Sequence, residues 1–313
     1  MHILIAGGTG MIGRALTEEF LKEGWVVTIL SRKPGKSTIP NLKYLEWDGI
    51  NLGDWQNCIK DIDAIINLSG ESIGGSSLLN LRWTRARKTR ILQSRINAGR
   101  ILTEAMKNSD KRPEVFIQAS AVGYYGVKSR ELLTEESPEG NDFLAEVCEI
   151  WETSSKEVEE MGVRRVVARL GVVIGKQNPI IGYMSLPYKL YLGGRLGNGK
   201  QYLTWIHIKD VVRIFIEMLE NKNYKGTYNI SAPKSNTNIE VSEILGKSLK
   251  RPNWLPVPAF ILRFALGEAS TLVLDGQNVQ PKRLLEIGYE FKFPELKTAM
   301  YDVLVKNKYI QLD

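Results

Sequence analysis

The chain has 313 residues, 43% of them hydrophobic and 25% charged, which is an ordinary globular composition, and its net charge of +7 favours anionic ligands. No apolar run approaches the roughly 18–20 residues that cross a bilayer, and no signal-peptide pattern follows Met1. We therefore expect a cytoplasmic protein with no membrane partner. Two cysteines and two histidines exclude a disulfide framework and a multi-histidine zinc site, so we predict no metal.

Short apolar strands alternate with helices through residues 1–175. The predicted strands cover residues 2–6, 25–30, 43–47, 64–68, 115–119 and 163–174. Strands that are apolar throughout indicate a parallel sheet buried on both faces, so the fold class is α/β, a doubly wound Rossmann-type domain. Residues 205–231 should complete it with a helix capped by Asp210 and a strand at 227–231.

A smaller lobe is predicted over the carboxyl ends of these strands. It comprises residues 176–204, rich in Gly, Pro and Tyr, and residues 232–313, which are mostly helical with a helix starting at Pro294. We interpret both segments as covering a substrate.

The most basic segment runs from Arg82 to Arg100 and holds seven lysines and arginines with no acid between them. Apolar residues such as Ile91 and Leu102 recur beneath these charges at helical spacing. The pattern favours a solvated helix with one or two residues reaching a phosphate over a nucleic-acid surface, so no nucleic acid is expected as a partner.

Gly7, Gly10 and Gly13 fall directly between the first strand and the first helix. There the first glycine permits a tight turn, the second lets backbone N–H groups approach a pyrophosphate, and the third lets helix and strand pack closely. The turn GGTGMIG therefore predicts a dinucleotide site. Its other contacts are expected at Thr9, Met11 and Ile12.

The second strand ends in Ser31, Arg32 and Lys33, where an NAD-binding chain usually places an acid against the ribose 2′-hydroxyl. A guanidinium can hold a 2′-phosphate through two parallel hydrogen bonds, so Arg32 predicts NADP(H) as the cofactor. The fourth strand closes in NLSGE, and we expect Leu68, Ser69 and Gly70 to pass along the adenosine and ribose. A solvated basic turn and an exposed loop serine are the alternatives.

Six stretches together resemble an atypical short-chain dehydrogenase/reductase family. They are GGTGMIG, NLSGE, QASAVGYYG, RLGVVIG, GGRLGNGKQYLTWIHIKDV and VQPKRLLEIGYEFKFPEL. Members are labelled epimerase-like, nucleoside-diphosphate-sugar epimerase-related or cell-division-inhibitor-like. They pair an extended-type NADP-binding domain with a small C-terminal domain of their own.

The resemblance implies cofactor contacts from Ser31, Arg32, Leu68, Ser69, Arg95 and Val173. It also implies that the usual catalytic Tyr-x-x-x-Lys pair is missing. At that place the chain reads FLAEVCEIWE (143–152), offering Phe143 with Val147 or Leu144 with Cys148, and neither pair can move a proton. A buried thiol is the preferred interpretation of Cys148 over a nucleophile.

Ser120, Tyr124, Tyr125 and His207 are the candidates for the proton and the substrate oxygen. Ser120 follows strand five, where related enzymes polarise that oxygen, although the alignment is ambiguous by one position. Tyr124 and Lys128 have the right spacing but lie in a loop, which we take as coincidence, and the tyrosines could simply pack there. His207 has an ordinary pKa near neutrality but fits a structural role bonded to backbone better than a general acid.

GRLGNGK (194–200) has the spacing of a phosphate-binding loop, but Gln201 stands where Ser or Thr would hold magnesium, which argues against ATP. Arg195 and Lys200 could still meet an anionic substrate. The leading hypothesis is an NADP(H)-dependent oxidoreductase or epimerase-like enzyme for a small anionic carbonyl or alcohol, such as a nucleotide sugar. The alternative is an NADP(H)-binding regulatory or scaffold protein with little turnover, and a homodimer is an open option.

Overall fold

In the computed structural model, residues 1–75 and 82–305 are described. The strands are β1 (His2–Ala6), β2 (Val26–Ser31), β3 (Leu42–Glu46), β4 (Ala64–Asn67), β5 (Val115–Ala121), β6 (Lys128–Leu133), β7 (Arg164–Leu170), β8 (Val172–Ile174), β9 (Tyr202–Leu203), β10 (Trp205–His207), β11 (Gly226–Ile230), β12 (Asn236–Thr237) and β13 (Gln277–Val279). Within this part of the chain, seven strands form a sheet in the order β11-β7-β5-β4-β1-β2-β3, and every neighbouring pair is parallel. The α/β doubly wound class is thereby confirmed.

Helices cover both faces of this sheet. The helices of the described residues, including those of the C-terminal lobe, are α1 (Met11–Lys22), α2 (Arg85–Lys107), α3 (Phe143–Thr153), α4 (Pro179–Lys189), α5 (Ile208–Glu220), α6 (Asn238–Leu249), α7 (Ala259–Leu266), α8 (Thr271–Leu274), α9 (Lys282–Glu286) and α10 (Leu296–Leu304). On one face, Phe20 of α1 and Phe215 of α5 pack with Ile5 and Ile117. On the other, α2 buries Leu102 against Phe116. Because both faces are apolar, the strands read as continuous hydrophobic runs.

The predicted sixth strand at 163–174 is wrong as a single element, because the chain leaves the large sheet at Gly171. Its N–H still bonds to Ile230 O, but the next N–H, that of Val172, turns to Thr204 O at 2.8 Å. Strand β8 then pairs with β10 in a separate small sheet. A side chain at Gly171 would meet the Thr204 carbonyl oxygen at 3.1 Å, so a glycine allows this close approach.

The predicted N-cap of α5 is also wrong, since the helix begins three residues earlier. His207 caps it, with its Nδ1 accepting from Lys209 N at 3.2 Å. Asp210 is fully buried inside the first turn, and its carboxylate accepts from Lys292 N at 2.7 Å and Phe293 N at 3.0 Å. The acid therefore holds the C-terminal segment against α5 instead of capping it.

The C-terminal lobe has a core of its own, in which α4, α6 and α10 meet. Tyr188, Val241, Leu245 and Met300 are buried there. Helix α10 begins two residues after the predicted start at Pro294. Residues 306–313 of the predicted lobe lie outside the described residues. In the part of the chain that is described, no helix is long and apolar enough to cross a bilayer.

Candidate functional site

The glycine turn sits at the carboxyl end of β1 and is packed too tightly for side chains. Gly7 has φ +80°, and a Cβ there would lie 2.9 Å from the Leu68 carbonyl carbon. A Cβ on Gly13 would lie 2.5 Å from Gly8 Cα. Gly10, the N-cap of α1, offers no side chain to the first helical N–H groups. Helix α1 thus begins with donors available to an anion, as the sequence predicts.

The carboxyl end of β4 lies directly beside this turn. Leu68 N donates to Ala6 O at 2.9 Å, which fixes the 67–70 segment against β1. Ser69 N donates to the buried Asn67 side chain, whose amide in turn donates to Gln118 at 3.1 Å. Leu68 and Ser69 remain partly exposed, so they border the cleft where a cofactor contact is predicted.

The residues predicted to contact the 2′-phosphate of the cofactor lie at the end of β2. Ser31 is buried, and its hydroxyl oxygen accepts from Lys33 N at 3.2 Å, which shapes the turn that follows. Arg32 between them is exposed. The turn therefore presents the guanidinium at the edge of the sheet that carries the glycine turn.

Arg95 lies deep beneath the 70–73 segment. Its guanidinium donates to the carbonyls of Glu71 and Ile91, both at 3.0 Å, and stacks 4.6 Å from the Trp151 ring centroid. Burial lowers its pKa to about 10. A side chain on Gly70 would meet the guanidinium carbon at 2.8 Å, so it would have to displace the Arg95 guanidinium. Arg95 supports the wall of the cleft, and direct contact with a cofactor stays a prediction.

Most of the basic segment is committed to intramolecular contacts. Among the described residues these are Arg82 with Phe264 O, Arg87 with Ser72 O and Ile73 O, Lys88 with Glu268, Arg90 with Glu71, and Arg95 as above. Five of the seven predicted cations therefore brace the cleft rim and the C-terminal lobe. This favours the interpretation of α2 as a supporting helix.

Val173 lies on β8, close to the start of α1. It is buried, and its carbonyl accepts from the Asn178 amide at 2.7 Å. A Cβ at Gly175 would lie 3.3 Å from the Met11 sulfur. Gly175, two residues after Val173, thus lies against the start of α1, and Val173 and Met11 belong to the same hydrophobic cluster.

Helix α3 turns Leu144 and Cys148 towards the loop after β5. A Cβ at Gly123 would lie 3.3 Å from Leu144 Cβ and 3.6 Å from the Cys148 sulfur. Burial raises the pKa of the Cys148 thiol to about 11, which disfavours a nucleophilic thiolate. Phe143 instead packs on Trp83 at 5.2 Å between ring centroids. Of the two registers the sequence allows, Leu144 with Cys148 occupies the side facing β5.

Ser120 is buried and engaged in a polar network. Its hydroxyl donates to Glu152 Oε1 at 2.7 Å, and Arg169 donates to both oxygens of the same carboxylate at 2.8 and 2.9 Å. Arg169 also donates to the Tyr125 hydroxyl, which in turn donates to Asn229 at 2.7 Å. The Ser120 proton therefore points to a carboxylate, and its role in polarising a substrate stays a prediction.

The two tyrosines after β5 differ in exposure. Tyr125 is fully buried, and burial raises its pKa to about 12. Tyr124 is partly exposed, its hydroxyl donates to Glu139 at 3.1 Å, and its ring centroid lies 3.3 Å from the Arg169 guanidinium carbon. Burial also raises the pKa of Tyr124, although the neighbouring Arg169 cation opposes that shift. Lys128 begins β6, so the Tyr-x-x-x-Lys spacing does not lie on a helix.

Glu152, Arg169 and Asn229 are residues that the sequence argument missed. Arg169 lies inside the apolar strand β7, Glu152 near the end of α3 and Asn229 near the end of β11, and none was among the predicted site residues. An arginine inside an otherwise buried strand is the signal that could have found them, because a buried cation needs a partner.

His207 is 1% exposed and stacks on Phe293 with ring centroids 3.8 Å apart. Burial lowers its pKa to about 4, although Asp302, 3.5 Å from Nε2, opposes that shift. The ring is neutral near pH 7. Its bond from Lys209 N matches the structural role that the sequence favours over a general acid.

The glycine-rich segment 194–200 is a turn between α4 and β9. Leu196 N donates to the Asn238 side chain at 2.8 Å, and Leu196 forms an isolated parallel β-bridge with Val257. Arg195 and Lys200 are exposed. The chain continues as β9, so the expected lack of a following helix is confirmed.

Two family descriptions match this chain. The NAD dependent epimerase/dehydratase family matches residues 3–231, and a domain of unknown function, DUF1731, matches residues 257–303. The epimerase family protein SSP1921 of Staphylococcus saprophyticus is 39% identical over 97% of this chain and 99% of its own length. YfhF of Bacillus subtilis, another epimerase family protein, is 37% identical over 98% of this chain and 99% of its own.

Solved structures show the same likeness. The human epimerase family protein SDR39U1 (isoform 2), crystallised with NADPH, superposes with a TM-score of 0.86 at 33% identity, covering 98% of this chain and all of that one. A nucleoside-diphosphate sugar epimerase from Corynebacterium glutamicum gives a TM-score of 0.78 at 27% identity, covering 97% of this chain and 58% of that one. Both similarities extend through the C-terminal lobe.

Proposed function

Because the chain belongs to the NAD dependent epimerase/dehydratase family, we propose that it binds NADP(H) and acts as an oxidoreductase or epimerase-like enzyme on a small anionic carbonyl or alcohol. The observation that carries the cofactor assignment is the glycine turn, closed to side chains at Gly7 and Gly13, which leads into the uncapped helix α1. The structural neighbour solved with NADPH supports the same choice.

The residues of this chain fit a dinucleotide with a 2′-phosphate. The α1 N-terminus would hold the pyrophosphate through backbone N–H groups, since no side chain competes for them. The Leu68–Ser69 backbone would border the ribose. Arg32, exposed and beside the end of β2, would hold the 2′-phosphate, because a guanidinium matches its oxygens.

A bound NADPH supplies a hydride to a substrate carbon. The chain would have to supply a proton to the substrate oxygen, and its candidates differ in readiness. Ser120 and Tyr125 already donate to other side chains, and His207 is buried and neutral. The Tyr124 hydroxyl also donates to a side chain, but its acceptor is the exposed Glu139 and its ring is partly exposed, so Tyr124 is the best placed of the four.

A second function, NADP(H) binding with little turnover, is favoured by one specific observation. Helix α3 presents Leu144 and Cys148 to the loop after β5, where related enzymes use a tyrosine and a lysine. General acid–base catalysis contributes typically 10²–10⁴-fold, so a site without it would turn over slowly. We infer that cofactor binding and catalysis are separable in this chain.

The cofactor assignment is tested by Arg32→Asp in calorimetric titrations with NADPH and NADH. The charge reversal should weaken NADPH binding by about 10- to 100-fold, the value of a hydrogen-bonded charge pair, and leave NADH binding nearly unchanged. Lys111→Asp is the matched control, since Lys111 is exposed and lies just before the amino end of β5. An unchanged NADPH to NADH ratio in Arg32→Asp would refute the assignment.

Turnover is tested by following NADPH absorbance with a panel of anionic aldehydes, ketones and nucleotide sugars. Under the enzyme proposal, at least one compound is reduced, and Tyr124→Phe lowers kcat more than it changes KM. Binding of NADPH without oxidation by any compound would leave the low-turnover function as the better account.

A further inference from the structure

Large apolar side chains of the C-terminal lobe face solvent. Phe264 is 84% exposed, Phe260 71% and Trp254 63%. No residue of α7, all of which is described, is buried. Contiguous exposed apolar patches on a globular protein mark a contact with a partner or a lipid surface, so this one calls for an occupant.

Hydrogen bonds join the end of α4, the 251–257 segment and α7 into one surface. The Trp254 indole N–H donates to Tyr191 O at 3.0 Å, and the Trp254 and Leu255 N–H groups both donate to Gly193 O. The bridge between Leu196 and Val257 continues the contact to the start of α7. We call this the apolar–basic surface. Its exposed apolar members are Leu186, Leu190, Tyr191, Leu192, Trp254, Leu255, Phe260, Ile261 and Phe264.

The two segments that carry this surface also account for the net positive charge of the protein. Segments 176–200 and 244–267 together hold eight lysines and arginines and no acid, so the rest of the chain, with 34 basic and 35 acidic residues, is nearly neutral. All eight cations are exposed: Lys176, Lys189, Arg195, Lys200, Lys247, Lys250, Arg251 and Arg263. Within the described residues, none of them forms an ion pair.

We propose that the apolar–basic surface rests on an anionic phospholipid bilayer. Aromatic and aliphatic side chains surrounded by unpaired cations are the pattern of helices that lie in a membrane interface, where the rings enter the headgroup region and the cations meet anionic lipids. The expectation of no membrane partner rested on the lack of a spanning segment, and this proposal departs from it. Peripheral contact needs no such segment.

A second copy of this chain fits the surface less well. In a two-fold dimer the same patch meets itself, so like charges would face each other. Glu243 lies beside Lys247, Lys250 and Arg251, but cations still outnumber acids there. An acidic lipid surface supplies the complementary charge and has no fixed shape to match. The charge pattern therefore favours lipid.

The surface adjoins the edge of the sheet that holds the candidate site. Arg82, just before α2, donates to Phe264 O at 2.8 Å, and Lys88 pairs with Glu268. In a doubly wound sheet the amino end of a helix lies at the carboxyl ends of the strands, where the glycine turn also sits. A bilayer on this surface would therefore lie beside the opening of the cleft. The proposal does not depend on which reaction occurs there.

Vesicle flotation tests the apolar contribution. Wild-type protein should bind vesicles of phosphatidylcholine with about 30 mol% phosphatidylglycerol at least about tenfold better than pure phosphatidylcholine. Phe260→Ser with Phe264→Ser should lower that binding about tenfold. Ile39→Ser with Ile50→Ser, about half exposed elsewhere, is the matched control and should not. Equal binding by the two double variants would overturn the proposal.

Charge reversal tests the basic contribution. Lys250→Glu with Arg251→Glu should abolish the preference for phosphatidylglycerol, whereas the exposed pair Lys111→Glu with Arg112→Glu, of the same net charge, should keep it. Unchanged NADPH binding would show that each variant is folded.

Two results would overturn the proposal. One is that the wild-type protein binds no vesicles and sediments as a dimer, which Phe260→Ser with Phe264→Ser converts to a monomer. The other is wild-type protein that floats with neither vesicle type, which would favour an acidic protein as the partner.

Discussion

Around Gly7 and Gly13 the chain keeps side chains out and leaves the first N–H groups of a helix uncapped, whereas around Ser120 it fills the space with side chains bonded to one another. The first region has polar groups to offer a ligand. The second has satisfied its polar groups internally, through Glu152 and Arg169. Binding needs the first arrangement, and proton transfer needs a free group that the second does not supply. This cleft is therefore prepared for a cofactor more completely than for acid–base chemistry.

The largest effect is expected from breaking the internal network at Arg169. Arg169→Met leaves the Glu152 carboxylate, which is only 13% exposed, without its cation, and this should cost about 3–5 kcal/mol in the free energy of unfolding. Urea denaturation measures this directly. Lys107→Met breaks an exposed pair with Glu157 and should cost less than about 1 kcal/mol. Equal losses in the two variants would contradict the view that the network is a structural core.

The constraint on the glycine turn is tested by Gly13→Ala. The added Cβ would lie 2.5 Å from Gly8 Cα, so helix and turn must move apart at a cost of about 1–3 kcal/mol, and NADPH binding should be lost. Gly182→Ala, inside α4 with open space around its Cβ, is the matched control and should bind normally. Thermal unfolding and NADPH titration of both variants provide the measurement. Normal binding by Gly13→Ala would show that the turn is less constrained than its packing indicates.

The contrast also explains what the sequence could and could not predict. The glycine turn could be predicted because its chemistry lies in the backbone. The spacing of Gly7, Gly10 and Gly13 indicates positions where no side chain fits. The apolar strands were found for a similar reason, since burial on both faces leaves a continuous pattern. Local rules were enough for both.

The network around Ser120 could not be found in that way. Ser120, Glu152 and Asn229 come from β5, α3 and β11, and only the sheet order β11-β7-β5 brings them together. The break at Gly171 was missed for the same reason, since it depends on the approach of Thr204 from a later strand. Contacts between residues distant in sequence decided both features.

A pH dependence distinguishes a structural His207 from a catalytic one. Its pKa is lowered to about 4 in the folded protein, against about 6.5 unfolded, so only the unfolded chain gains a proton as the pH falls below 6.5. Stability from this residue is complete above pH 6.5 and falls by about 2 kcal/mol by pH 5. Urea denaturation at pH 7 and pH 5 should show this loss in wild-type protein and a smaller one in His207→Asn. The same slope in both would mean that the ring titrates normally.

The smallest effects separate the two neighbouring tyrosines. Tyr125→Phe removes a buried hydroxyl that bonds both Arg169 and Asn229, so it should cost about 1–2 kcal/mol, because the remaining partners lose a bond. Tyr124→Phe keeps the ring beneath the guanidinium and loses only a bond to exposed Glu139, so it should change stability by less than about 0.5 kcal/mol. Paired urea curves provide the comparison. If Tyr124→Phe proved the more costly, this partly exposed tyrosine would belong to the structural network, and none of the four candidates would be available as a proton donor to a substrate.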